Sequence, residues 1–405
     1  MKPKEKKKKW LRRRHVIVRN ILNLTLGVYT KLKCRVRVEK FRESRGKQYL
    51  ILFNHQTAYD QFFVGMSFYG SVYYMASEDI FSNGLVSKLI RFLVAPIPIK
   101  KQTTDLKAIL NCIRVAKEGG TIAIAPEGNR TYGGRTCYMS PSIVPLARKL
   151  GLPIALYRIE GGYGVYPRWS DVVRKGSMRA YVSRVVDPTE YATMTDDELF
   201  AVIRDELNVD EAVADGEFRH KKSAEYLERA LYVCPDCGLT TLESHGDRIT
   251  CLRCKRQVRY LPTKELEGVG AEFPFHFVAD WYDYQSELVN RLDVTLHTKE
   301  PLYRETVTLS RVIPYKKKEC IAREAELSLY GDRITLAYGG EEKAYSFDEI
   351  SSVAVLGRNK LNVYHGGEIN QIKGSKRFNA LKYVHLYHRY LNLKKGDENG
   401  KFLGL

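Results

Sequence analysis

The chain has 405 residues, enough for two or three domains, and 44% of them are hydrophobic, which excludes a globally disordered polypeptide. Lys and Arg outnumber Asp and Glu by 66 to 47, a formal charge of +19. A surplus of that size points to a polyanionic partner, either nucleic acid or an anionic membrane surface, and charge alone does not choose between them.

Residues 1–14 carry nine Lys or Arg against one Glu, beside Trp10, and an apolar stretch from Val16 to Leu32 follows, interrupted by Arg19 and Lys31. That pairing predicts a helix lying in the membrane interface, with basic side chains reaching anionic head groups; a helix packed on the core behind a solvated tail is the alternative. The stretch lacks a signal-peptide pattern, and the longest uncharged run, Gln61–Ser77, reads as a buried helix followed by a strand rather than a membrane span.

Cys34–Val38 alternates apolar and basic residues, as a half-buried strand does, and Tyr49–Phe53 is a continuous apolar run, as a fully buried strand is. Helical spacing follows over Thr103–Lys117, then buried strands at Thr121–Ala125 and Leu152–Tyr157. Strands alternating with helices predict an α/β domain with a largely parallel or mixed sheet flanked by helices. Thr195-Asp-Asp-Glu198 is a capping box opening a helix to about Leu207, and a second helix is expected over Ser223–Leu231. Beyond residue 300, short β runs at Glu326–Tyr330, Arg333–Tyr338, Ala344–Phe347 and Lys360–Tyr364 precede a closing helix, Phe378–Tyr390. The boundaries read from this pattern are a basic tail and interfacial helix (1–33), an α/β domain (34–230), a cysteine-bearing segment (231–262) and a β-rich C-terminal domain (263–405).

Two loops carry chemistry. Asn54-His-Gln-Thr-Ala-Tyr-Asp60 follows the strand at 49–53. Five residues apart, His55 and Asp60 cannot share one face of a helix, but they meet if His55 sits in the loop and Asp60 in the first helical turn. The carboxylate would then hold one imidazole nitrogen while the other takes a proton. Ala125-Pro-Glu-Gly-Asn-Arg-Thr131 also follows a buried strand, and an arginine from such a loop suits phosphate. Glu127 would position that arginine or a backbone amide.

Cys234-Pro-Asp-Cys237-Gly and Cys251-Leu-Arg-Cys254 are separated by 13 residues, the pattern of a zinc ribbon in which four thiolates close a tetrahedron around structural Zn²⁺. Metal rather than disulfide is the expected fate of the cluster in a reducing cytosol. Cys34, Cys112, Cys137 and Cys320 stand alone.

Taken together, Asn54-His55 with Asp60, Ile97-Pro-Ile-Lys-Lys101, Pro126-Glu-Gly-Asn-Arg130 and Leu152-Pro-Ile-Ala155 resemble, in order, the blocks of the PlsC-like 1-acylglycerol-3-phosphate and glycerol-3-phosphate acyltransferases. The resemblance spans about residues 35–200. It implies that His55, oriented by Asp60, is the general base for direct acyl transfer from acyl-CoA or acyl-carrier protein. The acceptor would be a lysophosphatidic-acid-type lysophospholipid, glycerol-3-phosphate or another lysolipid. Lys101, Glu127, Gly128, Asn129, Arg130 and Thr131 would bind it. The second block normally carries Arg, where this chain has Lys100 or Lys101, which offers a point charge instead of a planar fork. The resemblance also implies a peripheral or monotopic protein on the cytoplasmic face of a membrane, with an anionic lipid surface rather than nucleic acid as partner. A catalytically inactive acyltransferase fold serving as a zinc-ribbon scaffold is the reading from another class. The last hundred residues weakly resemble a pleckstrin-homology-like module.

Overall fold

The structure, a computed structural model, describes residues 9–81, 84–99, 105–313, 316–397 and 400. It opens with α1 (Arg13–Leu22), a π-helical turn (Asn23–Gly27) and α2 (Val28–Cys34), followed by β1 (Val36–Val38) and β2 (Leu50–Phe53). Next come α3 (Asp60–Ser67), β3 (Val72–Ser77), α4 (Leu85–Leu93), β4 (Ile97–Ile99), α5 (Leu106–Lys117) and β5 (Thr121–Ile124). Then follow α6 (Ile143–Leu150), β6 (Ile154–Glu160), the short α7 (Gly162–Val165) and β7 (Met178–Val186). Two further helices, α8 (Pro188–Tyr191) and α9 (Asp196–Leu207), close this unit.

The seven strands form one sheet in the order β1-β7-β6-β2-β5-β3-β4. Every neighbouring pair is parallel except β6 and β7. The central strands are apolar throughout because both faces are covered. Leu50 and Leu52 of β2, Ile122 of β5 and Leu156 of β6 enter the core on one face; Ile51, Phe53, Ala123 and Tyr157 enter the core on the other. The capping box at Thr195 and Glu198 is present, and the predicted helix near 103–117 starts at Leu106, where the Asp105 carboxylate accepts from the amides of Lys107 and Ala108.

One predicted feature comes out differently. Ser223–Leu231 is not a helix but holds one 3₁₀ turn, Leu227–Arg229. Tyr226 is left-handed at φ 72°, which interrupts a helix there, and it is held by its N–H donating to Ser244 Oγ while Ala224 N–H donates to the Gly246 carbonyl. Trp10, at the start of the described chain, is held by the α/β unit. Its indole N–H donates to the Ala95 carbonyl, and the Glu118 carboxylate accepts its backbone N–H. The start of α1 is thereby pinned to the α/β unit.

The cysteine-bearing segment and the residues directly after it contain β8 (Val233–Cys234), β9 (Gly238–Leu239) and an antiparallel sheet of β10 (Leu242–His245), β11 (Arg248–Cys251), β12 (Gln257–Tyr260) and β13 (Leu266–Val269). After α10 (Val278–Arg291) come β14 (Tyr303–Arg311), β15 (Glu319–Leu329), β16 (Arg333–Tyr338), β17 (Glu341–Ser346), β18 (Ile350–Leu356), β19 (Lys360–His365) and β20 (Glu368–Lys373). They form a curled antiparallel sheet ordered β17-β16-β15-β14-β20-β19-β18, closed by α11 (Leu381–Lys394). One buried cluster runs from Tyr132 and Trp169 through Leu242, Ile249 and Val258 to Trp281 and on to Leu327, Val353 and Tyr383. The C-terminal half therefore packs against the α/β unit through a continuous core.

Candidate active site and cysteine cluster

The end of β2 is anchored by Asn54, whose buried amide exchanges two 2.8 Å hydrogen bonds with the backbone of Ile159 in β6. The chain then leaves the sheet as a loop, and Asp60 is the first residue of α3, where a carboxylate is favoured by the helix dipole. His55 Nδ1 lies 2.8 Å from Asp60 Oδ2. Asp60 also accepts from the amides of Gln56 and Thr57 and from Thr57 Oγ1, so its carboxylate is held from both sides. Because Asp60 is an acceptor, Nδ1 carries the proton and Nε2 is the basic nitrogen. The imidazole is partly exposed, at 28% of its side chain, while Asp60 is fully buried.

The loop after β5 leans on the His55 loop through Glu127. One oxygen of its buried carboxyl accepts from His55 N–H at 2.7 Å, the other from Cys137 N–H at 2.8 Å. Both oxygens are thus engaged with backbone amides, so of the two contacts open to Glu127, with the arginine or with a backbone amide, the structure shows the second. Burial pushes its carboxyl up to about 8, against the opposing pull of the two amides. Gly128 is left-handed at φ 66°, Asn129 is buried, and buried Thr131 accepts the Gly134 amide on its hydroxyl. Arg130 follows, its Nη1 buried and without a hydrogen-bond partner among the described residues. Lys101 and Lys100 lie outside the described residues.

Glu127→Gln should expose this bracing role. A carboxamide keeps one acceptor oxygen and turns an NH₂ toward the second amide, leaving two donors opposed, a loss of about 1–3 kcal/mol. The wild-type carboxyl, raised when folded, binds more protons folded than unfolded between about pH 4.5 and its folded value of about 8. Its stabilising effect is therefore present at low pH and declines as pH rises through that window. Urea unfolding at several pH values should show this decline in the wild type and a flatter profile in Glu127→Gln; identical profiles would contradict it.

Sequence reasoning missed the groups that come from elsewhere in the chain. Gly162 packs against Gln56: a Cβ there would meet Gln56 Cβ at 2.5 Å, so only glycine lets α7 support the His55 loop. Tyr59 stacks on Tyr166 at 5.4 Å. Arg135, just beyond Arg130, pairs with Asp210, Asp280 and Asp283, and Tyr132 stacks on Tyr282 of α10. At Gly133 an added Cβ would sit 2.9 Å from the Ala279 backbone. Helix α10 therefore clamps the loop that carries Arg130.

Cys234, Cys237, Cys251 and Cys254 come together, with all four Sγ atoms within 4.8 Å of one another, a donor set able to hold a metal ion. The Asp236 carboxylate pairs with Arg256, and Arg253 donates to the Cys237 carbonyl, so the knuckles are braced from outside.

The mixed α/β sheet carries the His55–Asp60 pair and the Arg130 loop at adjacent strand ends, and the family model described as Acyltransferase matches residues 34–159. That span is the part of the chain that resembles an acyltransferase domain. It is similar to 1-acyl-sn-glycerol-3-phosphate acyltransferase of Bacillus subtilis, 21% identical over 137 residues, covering 34% of this chain. The chain spans 65% of that relative's length. Among solved structures, the 1-acyl-sn-glycerophosphate acyltransferase PlsC of Thermotoga maritima matches with a TM-score of 0.41 at 21% identity, covering 48% of this chain and 78% of its own. The N-terminal PH domain of human ARAP2 matches with a TM-score of 0.18 at 17% identity, covering 24% of this chain and 85% of its own.

Proposed function

We propose that the protein is an acyltransferase that moves a fatty acyl group from a thioester, acyl-CoA or acyl-carrier protein, to the hydroxyl of a lysophosphatidic-acid-type acceptor. The observation that carries this reading is the 2.8 Å His55–Asp60 pair, which supports a role for Nε2 as the base. Nε2 takes the proton of the acceptor hydroxyl as its oxygen attacks the thioester carbonyl. The C–S bond breaks, and the departing thiolate recovers the proton from the imidazolium. Burial pushes the thiols of Cys34, Cys112 and Cys137 up to about 12, which favours direct transfer over an acyl-cysteine intermediate. The test is purified protein with either acyl donor and a panel of acceptors, lysophosphatidic acid, other lysolipids and glycerol-3-phosphate; transfer to phosphate-free acceptors alone would refute the acceptor assignment.

The reading includes a peripheral membrane attachment. No described helix is long and apolar enough to cross a membrane. Instead α1, the π-helical turn after it, α2 and α4 expose Ile17, Ile21, Leu24, Leu32, Leu85 and Leu89. Arg14 lies over the Phe92 ring at 3.8 Å and joins α1 to α4. Leu24 is 76% exposed and Leu32 71%, so Leu24→Glu with Leu32→Glu should leave the fold intact. Cosedimentation with anionic vesicles should fall about tenfold or more, since each leucine buried in lipid is worth about 1.5–3 kcal/mol. Unchanged binding would refute attachment through this face.

For the cysteine cluster we favour structural Zn²⁺. Four soft sulfur donors in a closed set suit that ion, which supplies crosslinking rather than chemistry. The four-then-three strand order and closing helix of the C-terminal unit are compatible with a pleckstrin-homology-like module.

A further inference from the structure

Arg130 is not alone. Arg168, buried at 3% exposure, donates to the Arg130 carbonyl at 3.2 Å and to the Val355 carbonyl of β18 at 3.4 Å, with its guanidinium over the Tyr132 ring. Its Nε, like Nη1 of Arg130, is buried without a hydrogen-bond partner among the described residues. Arg358 comes from the turn joining β18 and β19. It donates to the Tyr166 hydroxyl and pairs with Asp171 at 3.0 Å. Tyr166 in turn stacks on Tyr59, which lies between His55 and Asp60 in the sequence. Asp171 does not neutralise the group, because it is shared with Arg229 at 2.7 Å. Asp60, the carboxylate whose charge reaches Arg130, is occupied with His55 and the loop amides. Burial first, then the charges of Arg168 and Arg358, drive the Arg130 guanidinium down to about 10, as expected where cations are gathered out of water ahead of an anion.

We propose that the C-terminal sheet supplies Arg358 as the third arm of an anion site, with Arg130 and Arg168, that takes the phosphate monoester of the acceptor and selects it over a phosphodiester. This rests on the acyltransferase reading for the identity of the acceptor. A monoester carries close to two negative charges near neutral pH and presents three oxygens, whereas a diester carries one and presents two. Three guanidiniums match the former. Tyr166 and Asp171 hold Arg358 in place, so that acceptor choice is divided between the α/β unit and the C-terminal sheet.

The test is calorimetric titration of the full chain with water-soluble hexanoyl lysophosphatidic acid, its methyl phosphodiester and hexanoylglycerol, beside acyl-transfer assays on the same preparations. Wild type should bind the monoester best. Arg358→Gln should weaken monoester binding about tenfold, the worth of one charge-assisted contact, and leave hexanoylglycerol unchanged. Arg358→Lys, which keeps the charge, should recover part of the loss, and its monoester-to-diester ratio decides the matter if Arg358→Gln fails to fold. Equal binding of monoester and diester by wild type, or equal weakening toward all three compounds in the variants, would overturn the proposal. Monoester selectivity without acyl transfer would leave the anion site standing and refute the enzyme reading. Transfer with monoester binding unaffected in Arg358→Gln would do the reverse.

Discussion

His55→Ala should lower acyl transfer by about 10²–10⁴-fold, the span attributed to a positioned general base, while the protein remains folded and lipid-bound. The imidazole stands at the mouth of a loop, partly exposed, and the loop is held by Asn54, Asp60 and Glu127 rather than by the histidine itself. Asp60→Asn should behave differently. Its carboxylate accepts from His55, Gln56 and Thr57, and an amide would turn a donor toward one of these groups. The variant should therefore lose activity through a misdirected imidazole and also lose about 1–3 kcal/mol of stability. Steady-state transfer rates beside urea unfolding separate the two effects. A His55→Ala protein with wild-type turnover would remove the base from the mechanism.

The second large effect should follow removal of the metal. In Cys237→Ser one of four donors is weakened, and the ion proposed to close the cluster should be lost, making residues 230–260 sensitive to protease. The consequence should not stay local. Leu242, Ile249 and Val258 share a buried cluster with Trp281 of α10, whose indole N–H donates to the Val233 carbonyl at 2.7 Å, one residue from Cys234. The same helix carries Asp280 and Asp283, which hold Arg135, and Tyr282, which stacks on Tyr132. Loosening α10 therefore loosens the loop of Glu127 and Arg130. We expect metal content near one per chain in the wild type, its loss in Cys237→Ser, and acyl transfer reduced at least about tenfold, the cost of losing roughly 1.4 kcal/mol of positioning. Full activity in metal-free protein would show that the cluster is an attachment with no hold on the site.

How far the site could be read from sequence depended on how locally it is built. His55 and Asp60 are five residues apart, and a strand, a loop and a helix start leave few ways for them to meet. The cysteine spacing constrained its own geometry in the same way. Glu127 was ambiguous, since a buried carboxyl beside an arginine can pair with it or with backbone, and only the packing of two loops selects the amides. Arg168 and Arg358 gave no local signal, because an arginine beside Pro167 or in a Gly-Arg turn is an ordinary surface residue until a distant element is folded against it. The missed turn at Leu227–Arg229 has the same cause: hydrogen bonds donated to Ser244 Oγ and the Gly246 carbonyl, not local propensity, determine its conformation. In the central strands, by contrast, apolar continuity was sufficient, because burial on both faces leaves one pattern.

The central claim is that His55 and Asp60 activate an acceptor hydroxyl against a thioester. It is tested most directly by mass spectrometry of lipids formed when purified full-length protein, on anionic vesicles, is given a thioester donor and lysophosphatidic acid. Wild type should yield phosphatidic acid and free thiol one for one, with His55→Ala giving neither above the uncatalysed background. Product formed equally by both proteins, or by neither donor with the wild type, would contradict the account.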